Sequence, residues 1–552
     1  MFRARFTSAR RFGIIHDVMK SINTSIFDFA TLRDPKLNAV YVDKTAKLYE
    51  IAKPSADRIC YLPRPRRFGK SLMISTLKYL FLGRRDLFKG LWIDSSDWDW
   101  DNEIYPVLHL DMSDVDNGSM AELRESLNDL VRVGCEENGV PFRNSPSPSV
   151  NFKSLLLELR KKSPSGKYVL LIDEYDAPIA GLLDDPDLRK MIPKVRKTLH
   201  DFYVKAKAKS GDMRFLMVTG VSKFAKTSIF SAFNNPVDLT LDARTADLLG
   251  YTHEEMEKYF HEHIQAFADK EGITYDAMFA KLLSWYDSYQ FSPQRLVKVV
   301  NPVSLGRALA NKAFGNYWEA TAGSTIIFDA LKASNMAPTD FYALVDPETL
   351  DAADALAAPI EALLYQGGYL TIDHQVKVND IYKLQLKIPN EEVRISLERG
   401  YLSSLLGYDF QLDRFKTEAE YTAMRIATDP TGEAVRKLMV AAYSKLPHDW
   451  VCKDEKEAKR YFIAFMVFAR AEVTGEEQHS LGRPDAVLKT EKGIYIFEFK
   501  YDESAAAALD QCRERRYADA FADDSRTVHY VGVNYDPETR TVNELKIEGC
   551  DK

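Results

Sequence analysis

The chain has 552 residues, 45% hydrophobic and 28% charged, an ordinary globular composition that excludes disordered, collagen-like and coiled-coil chains. Its 74 Lys and Arg stand against 81 Asp and Glu, a net charge of −7, which excludes coating of DNA by bulk positive charge but not a local basic surface. At roughly 100–200 residues per domain, the length suits about three or four domains.

In chain order, Arg3, Arg5, Arg10 and Arg11 come before the first acid, Asp17. This start is weakly like a transit peptide but has no amphipathic stripe or cleavage signal. Residues 1–18 are expected to be an over-extended start with Met19 as initiator; a targeting segment or an ordered arm are the alternatives. The five cysteines, at 60, 135, 452, 512 and 550, form no CxxC pair, which points to a reduced, cytoplasmic protein without a zinc ribbon or disulfide framework. The longest strongly apolar run, near Phe462–Ala471, is well short of the roughly 18–20 residues of a membrane span.

Ile59–Leu62, Val107–Met112, Tyr168–Ile172 and Arg214–Thr219 read as strands separated by helix-period segments such as Ser71–Leu82. That alternation predicts a parallel sheet. From Thr252 the pattern turns helical, with Thr252–Glu255 fitting a capping box. Strand-like pieces follow at Gly367–Ile372 and Gln385–Pro389, and long helices resume near Tyr401. The last hundred residues predict a helix over Ala458–Ala471, strands Gly482–Thr490 and Gly493–Lys500, a helix Ser504–Phe521, and strands Thr527–Asn534 and Thr541–Ile547.

Arg64-Pro65-Arg66-Arg67-Phe68-Gly69-Lys70-Ser71 lies between a predicted strand and helix. A phosphate cradle needs a glycine turn, a lysine for the β/γ-phosphates and a hydroxyl for Mg²⁺. Gly69, Lys70 and Ser71 meet this, but the first glycine of GxxxxGK[ST] is replaced by Arg64. Alone, the segment also fits a basic strand-to-helix turn. Leu170-Leu171-Ile172-Asp173-Glu174 adds a hydrophobic strand ending in two acids: Asp173 to hold Mg²⁺, Glu174 to activate water. Both motifs sit at strand carboxyl ends, where an open α/β sheet places its site. Thr219, ending another strand, is a candidate γ-phosphate sensor, against an ordinary strand-end turn. Arg189, Arg196, Arg214 and Arg244 are equal candidates for an arginine finger.

Pro484-Asp485 opens one C-terminal strand and Glu498-Phe499-Lys500 closes the next. A short hairpin brings Asp485 near Glu498, and alternation puts Glu498 and Lys500 on one face. Two carboxylates make a hard-oxygen site for Mg²⁺ or Mn²⁺, and the lysine positions or deprotonates a water. This is the PD-(D/E)xK nuclease pattern; the alternative is a salt-bridged hairpin. Glu477, or less well Glu476, is the candidate third metal ligand. Gln511 and Arg515, with Arg513 and Arg516, are candidate nucleic-acid contacts. Lys194, Arg196, Lys197, Lys205, Lys207 and Lys209 form a second basic run, which also reads as a solvated helix face. His261-Glu262-His263 does not read as a metal site, since helix neighbours two apart do not share a face.

Taken together, these segments resemble a bacterial family that joins an AAA-ATPase-like domain to a C-terminal PD-(D/E)xK nuclease-like domain. Further segments carry the likeness: Tyr41–Thr45, Thr219–Asn235, Tyr286–Tyr289, Asn301-Pro302, Tyr317-Trp318, Gly367–Leu370 and Pro389–Val393. The family's loop is similar to Arg64–Ser71, so Arg67 joins the candidate nucleotide contacts; Ser288 stands where the family usually has glycine. The resemblance implies an α/β chain: an N-terminal parallel-sheet P-loop ATPase domain (19–250), a helical lid or linker (251–400) and a restriction-endonuclease-like α/β domain (401–552). The expected cofactors are ATP and Mg²⁺, with Mn²⁺ an option at the nuclease site. The expected partner is DNA or RNA, with no membrane; a homo-oligomer is compatible. The expected activity is ATP-regulated cleavage of phosphodiester bonds. The alternative is an ATP-driven signalling or oligomerisation switch that binds nucleic acid or a partner without cutting it, and a weaker third is a remodelling ATPase acting on protein.

Overall fold

The computed structural model describes residues 19–550 apart from 184, 186, 208–209, 224–235, 319–326, 329, 332–342, 353–356, 407–435, 437–438, 441–442, 444–451, 469–471, 476–483 and 491–492. The 1–18 segment, Lys209, residues 224–235, Glu476 and Glu477 therefore lie outside the described residues.

Ile59–Pro63 (β1) leads into Lys70–Phe81 (α1). Val107–Asp111 (β2), Tyr168–Asp173 (β3), Met213–Gly220 (β4) and Val237–Asp238 (β5) complete a five-stranded sheet in the order β2-β3-β4-β1-β5. Every pairing in it is parallel. β3 and β4 are buried at every position, which explains their unbroken apolar runs: helices cover both faces. β4 lies between β1 and β3, so the carboxyl ends of all three open on one edge.

His253–Glu271 (α2), Tyr275–Tyr286 (α3) and Pro302–Asn311 (α4) follow. The capping box on Thr252 and Glu255 is present. These helices close a separate core around Met256, Phe260, Phe267, Leu282 and Leu305. The region is not wholly helical. Leu344–Val345 (β6), Thr371–Val378 (β7) and Ile381–Lys387 (β8) form an antiparallel sheet in the order β6-β8-β7. The strand expected from Gly367 starts at Thr371, because Ile360–Gly367 is helix, stopped by Gly368 in a left-handed conformation.

Glu391–Leu406 (α5) packs against Glu455–Phe468 (α6). The C-terminal sheet holds Glu472–Gly475 (β9), Ala486–Lys489 (β10), Gly493–Tyr501 (β11), Thr527–Asp536 (β12) and Thr541–Gly549 (β13), with Ala505–Glu514 (α7) before β12. Its order is β13-β12-β11-β10-β9, and only β11 and β12 run parallel. Among the described residues, no helix is long and apolar enough to cross a membrane.

Two candidate active sites

The loop between β1 and α1 turns through two left-handed residues, Arg67 (φ 68°) and Gly69 (φ 94°). Gly69 caps α1, and a Cβ there would meet nothing within 4 Å. Glycine is thus favoured by backbone angle rather than by space. The first N–H groups of α1, which have no partner within the helix, face this loop and suit an anion. Lys70 is 4% exposed; its Nζ donates to Arg64 O (3.2 Å) and Pro65 O (3.3 Å) and lies 3.4 Å from Glu174 Oε1.

Arg64 explains the missing glycine. Its side chain runs inward beneath the loop, donating to Pro63 O (3.1 Å), Thr240 O (2.8 Å) and Thr245 O (3.3 Å), 4.3 Å from the Phe291 ring centroid. The tight turns fall at 67 and 69 instead, so position 64 is free to carry a buried strut. Burial lowers its guanidinium to about 10, so it stays charged at neutral pH.

At the end of β3, Asp173 is fully buried and stands level with Asp111 of β2. Its Oδ1 accepts from Glu174 N (2.9 Å), while Oδ2 has no hydrogen-bond partner among the described residues. Burial and then the Glu174 charge push it up to about 6, opposed by the Ser71 hydroxyl and Lys70. An orphaned buried carboxylate oxygen is costly unless a cation meets it. Ser71, Asp173 and Asp111 offer the hard oxygens that Mg²⁺ prefers, so the residues fit. Glu174 is held at φ 46°, an uncommon region for a residue with a side chain. Thr219 reaches the same edge, but its hydroxyl donates to Leu62 O (2.7 Å) inside the sheet.

An apolar cavity of about 110 Å³ adjoins the loop, lined by Phe68, Gly69, Tyr41, Tyr251, Val303 and Gly306 among others. The N-terminal segment, the loop and α4 each form part of its wall. Arg67 donates to Tyr317 O (2.9 Å). Burial and the neighbouring Arg307 charge lower it, and Glu392 opposes this. Glu392, in the first turn of α5, accepts from Tyr317 N (2.6 Å) and Trp318 N (2.7 Å). Burial raises it to about 7.

In the C-terminal sheet, β10 pairs Ala486 with Phe497 of β11, so Asp485 and Glu498 come next to each other in register. Asp485 Oδ2 accepts from Phe499 N (2.8 Å) and Oδ1 from Lys459 Nζ (2.9 Å). Glu498 is 2% exposed; its Oε1 accepts from Gln511 Nε2 and lies 3.8 Å from Lys500 Nζ. Glu498 Oε2 has no hydrogen-bond partner among the described residues. Burial and then the Asp485 charge push Glu498 up to about 8, against the pull of Lys500. Lys500 also lies 3.5 Å from Glu455 Oε2 on α6 and donates to Phe499 O (3.1 Å). Again a buried carboxylate oxygen lacks a partner beside a second acid, and a divalent cation fits the pair. Mg²⁺ is a cation that keeps several waters beside one or two carboxylates.

The structure thus brings together Gly69, Lys70, Ser71, Asp173 and Glu174 at one site, and Asp485, Glu498, Lys500 and Gln511 at the other. Arg515 lies exposed at the end of α7, one turn beyond Gln511; Arg513 is spent on Glu548 and Asp510. Of the finger candidates, Arg214 is buried against Glu103 (2.6 Å) and Arg244 pairs with Asp242 and Asp57. Sequence reasoning missed Asp111, Arg307, Glu392, Glu455 and Lys459. Glu455 and Lys459, four apart on a helix, read as an ordinary surface pair, and nothing in their spacing says that both turn to the sheet. His263 is absorbed by Lys20 O (2.8 Å) and His261 by the Tyr275 ring.

Residues 23–230 match the family model described as a predicted AAA-ATPase, and residues 453–545 match that of the PD-(D/E)XK nuclease superfamily. An uncharacterized protein in the vnfD 5′ region of Azotobacter chroococcum mcd 1 is 29% identical over 547 residues, 96% of this chain and 99% of that one. A solved structure of the Aeropyrum pernix Orc1 protein in complex with DNA aligns at 10% identity over 68% of this chain and 97% of that chain; its TM-score of 0.25 carries no weight for the fold. The chain therefore joins an AAA-ATPase-like N-terminal region to a C-terminal region similar to the PD-(D/E)XK nuclease superfamily.

Proposed function

We propose that the protein binds and hydrolyses ATP and uses it to control a metal-dependent nuclease that cleaves DNA or RNA in the cytoplasm. The observation that carries this reading is Glu498, buried with one orphaned oxygen beside Asp485 and Lys500. Residues 19–250 would form the ATPase, 251–400 a lid and relay, and 401–552 the nuclease.

At the first site, the N–H groups opening α1 and the Lys70 ammonium would take the phosphates, with the base in the apolar cavity beside Phe68 and Tyr251. Ser71 and Asp173 would hold Mg²⁺, and Glu174 would orient the attacking water. Arg307 and Arg67, mutually repelling, would each gain from an anion between them. At the second site Asp485 and Glu498 would hold Mg²⁺ or Mn²⁺. Such an ion polarises the phosphodiester and lowers the pKa of a bound water. Lys500 would position that water, and Gln511 holds the Glu498 carboxylate in place. The exposed Arg515 would contact the nucleic-acid backbone.

A physical path between the sites supports coupling. α5 meets the nucleotide loop through Glu392 and Tyr317 and packs against α6, which carries Glu455 and Lys459 into the nuclease site. ATP would shift this arrangement only so far as it binds one state better than the other. Wild type and Glu498→Ala are to be compared on single- and double-stranded DNA and RNA with Mg²⁺ or Mn²⁺. Cutting by wild type, reduced at least a hundredfold in the variant, is expected; equal cutting by both overturns the nuclease reading.

A further inference from the structure

We infer that Lys459 competes with the divalent cation of the C-terminal site for the Asp485 carboxylate, and that the cation, on binding, turns the Lys459 ammonium toward the phosphodiester. The inference rests on the nuclease reading above.

Asp485 has two oxygens, and both are engaged. Oδ2 is drawn to the Phe499 N–H at 2.8 Å, and Oδ1 to Lys459 Nζ at 2.9 Å. The side chains of Lys459 and Asp485 are only 14% and 10% exposed, so solvent screens this pair little. Lys500 serves the other acids, at 3.8 Å from Glu498 and 3.5 Å from Glu455. The two lysines are thus divided between the two metal-competent carboxylates. Oδ2 is tied to a backbone N–H that cannot swing away, so a divalent cation shared by Asp485 and Glu498 meets its rival in the Lys459 ammonium, and two cations beside one poorly solvated carboxylate repel.

Lys459 is well placed to yield. Its ammonium is a compact point charge on a flexible four-carbon stem, so it can swing away without moving α6. It lies four residues after Glu455 on the same helix face. Displaced from Asp485, the ammonium would gain the substrate's phosphate in exchange for a carboxylate. A lysine that only braced Asp485 would do the reverse: its removal would loosen the metal site.

The test uses the full-length protein without nucleotide and measures Mn²⁺ binding by electron paramagnetic resonance, with Glu498→Ala as the background. Lys459→Met should bind Mn²⁺ at least fivefold more tightly than wild type, yet cleave at least tenfold more slowly at saturating Mn²⁺. Lys459→Arg, which keeps the charge, should stay within about twofold of wild type in Mn²⁺ affinity. Thermal melting checks that the variants fold, and Lys459→Gln, which also removes the charge and carries the same expectation, takes the place of Lys459→Met if that variant does not. Unchanged or weaker Mn²⁺ binding by folded Lys459→Met, or much tighter binding by Lys459→Arg, overturns the inference while leaving the metal site standing. Absence of any Glu498-dependent Mn²⁺ uptake in wild type overturns both the inference and the nuclease reading.

Discussion

Arg64, Asp173, Glu392 and Glu498 hold ionisable groups where water hardly reaches, and they are not all answered in the same way. Arg64 is met by backbone carbonyls and an aromatic face, whereas Asp173 and Glu498 each keep one oxygen with no partner among the described residues. Glu392 is met by two backbone N–H groups and is raised to about 7 from an ordinary 4.5. The folded protein therefore holds that proton more tightly than the unfolded chain. The stabilisation is fully present below about 4.5 and is lost as pH rises toward 7. Gln at this position keeps the acceptor oxygen and removes the titration. The melting temperature of Glu392→Gln minus that of wild type should therefore grow between pH 5 and pH 8; a flat or shrinking difference contradicts the assignment. At the nucleotide loop, Arg307→Ala should weaken ATP binding about tenfold, since a hydrogen bond to a charged group is worth ~1.5–3 kcal/mol. Unchanged affinity in a titration would remove Arg307 from the phosphate site.

Among the elements, the buried strands were the most legible. β1, β3 and β4 were expected within one or two residues of where they lie, because runs such as Tyr168–Ile172 are apolar on both faces and solvent leaves no alternation to read. The Thr252 capping box was equally plain, being a local contact. The helix expected over Ser504–Phe521 instead ends at Glu514, with Arg516 left-handed at φ 51° and a tight 3-10 turn at Tyr517–Phe521. No glycine or proline marks that break, so the sequence is silent about it. α5 shows the same limit: its importance lies in what it touches. An added Cβ at Gly400 would run into the Phe328 ring, so glycine is there to admit that ring. Gly400→Ala should cost about 1–3 kcal/mol through overpacking. A denaturation midpoint equal to wild type would show that Phe328 yields freely.

At the scale of the whole molecule, the catalytic candidates read from the sequence were those held close together along the chain or by one hairpin. Gly69 to Ser71, Asp173-Glu174 and Asp485 to Lys500 belong to this group. The residues that join regions were not legible: Glu392 reaches Tyr317 and Arg67, and Lys459 reaches Asp485, only because distant elements pack together. The largest core runs from Phe29 to Tyr535 and includes side chains from both family-matched regions. Lys70→Ala should abolish ATP binding and, through that continuity, remove any effect of ATP on cleavage while leaving the nuclease groups intact. Glu498→Ala should keep ATP turnover and lose cleavage.

The most direct measurement is the rate of nucleic-acid cleavage in Mg²⁺ or Mn²⁺, with and without ATP, for wild type, Lys70→Ala and Glu498→Ala. An ATP-dependent rate in wild type, an ATP-independent rate in Lys70→Ala and no cleavage by Glu498→Ala are expected. Cleavage that persists in Glu498→Ala, or that responds to ATP in Lys70→Ala as it does in wild type, would contradict an ATP-controlled nuclease built on these two sites.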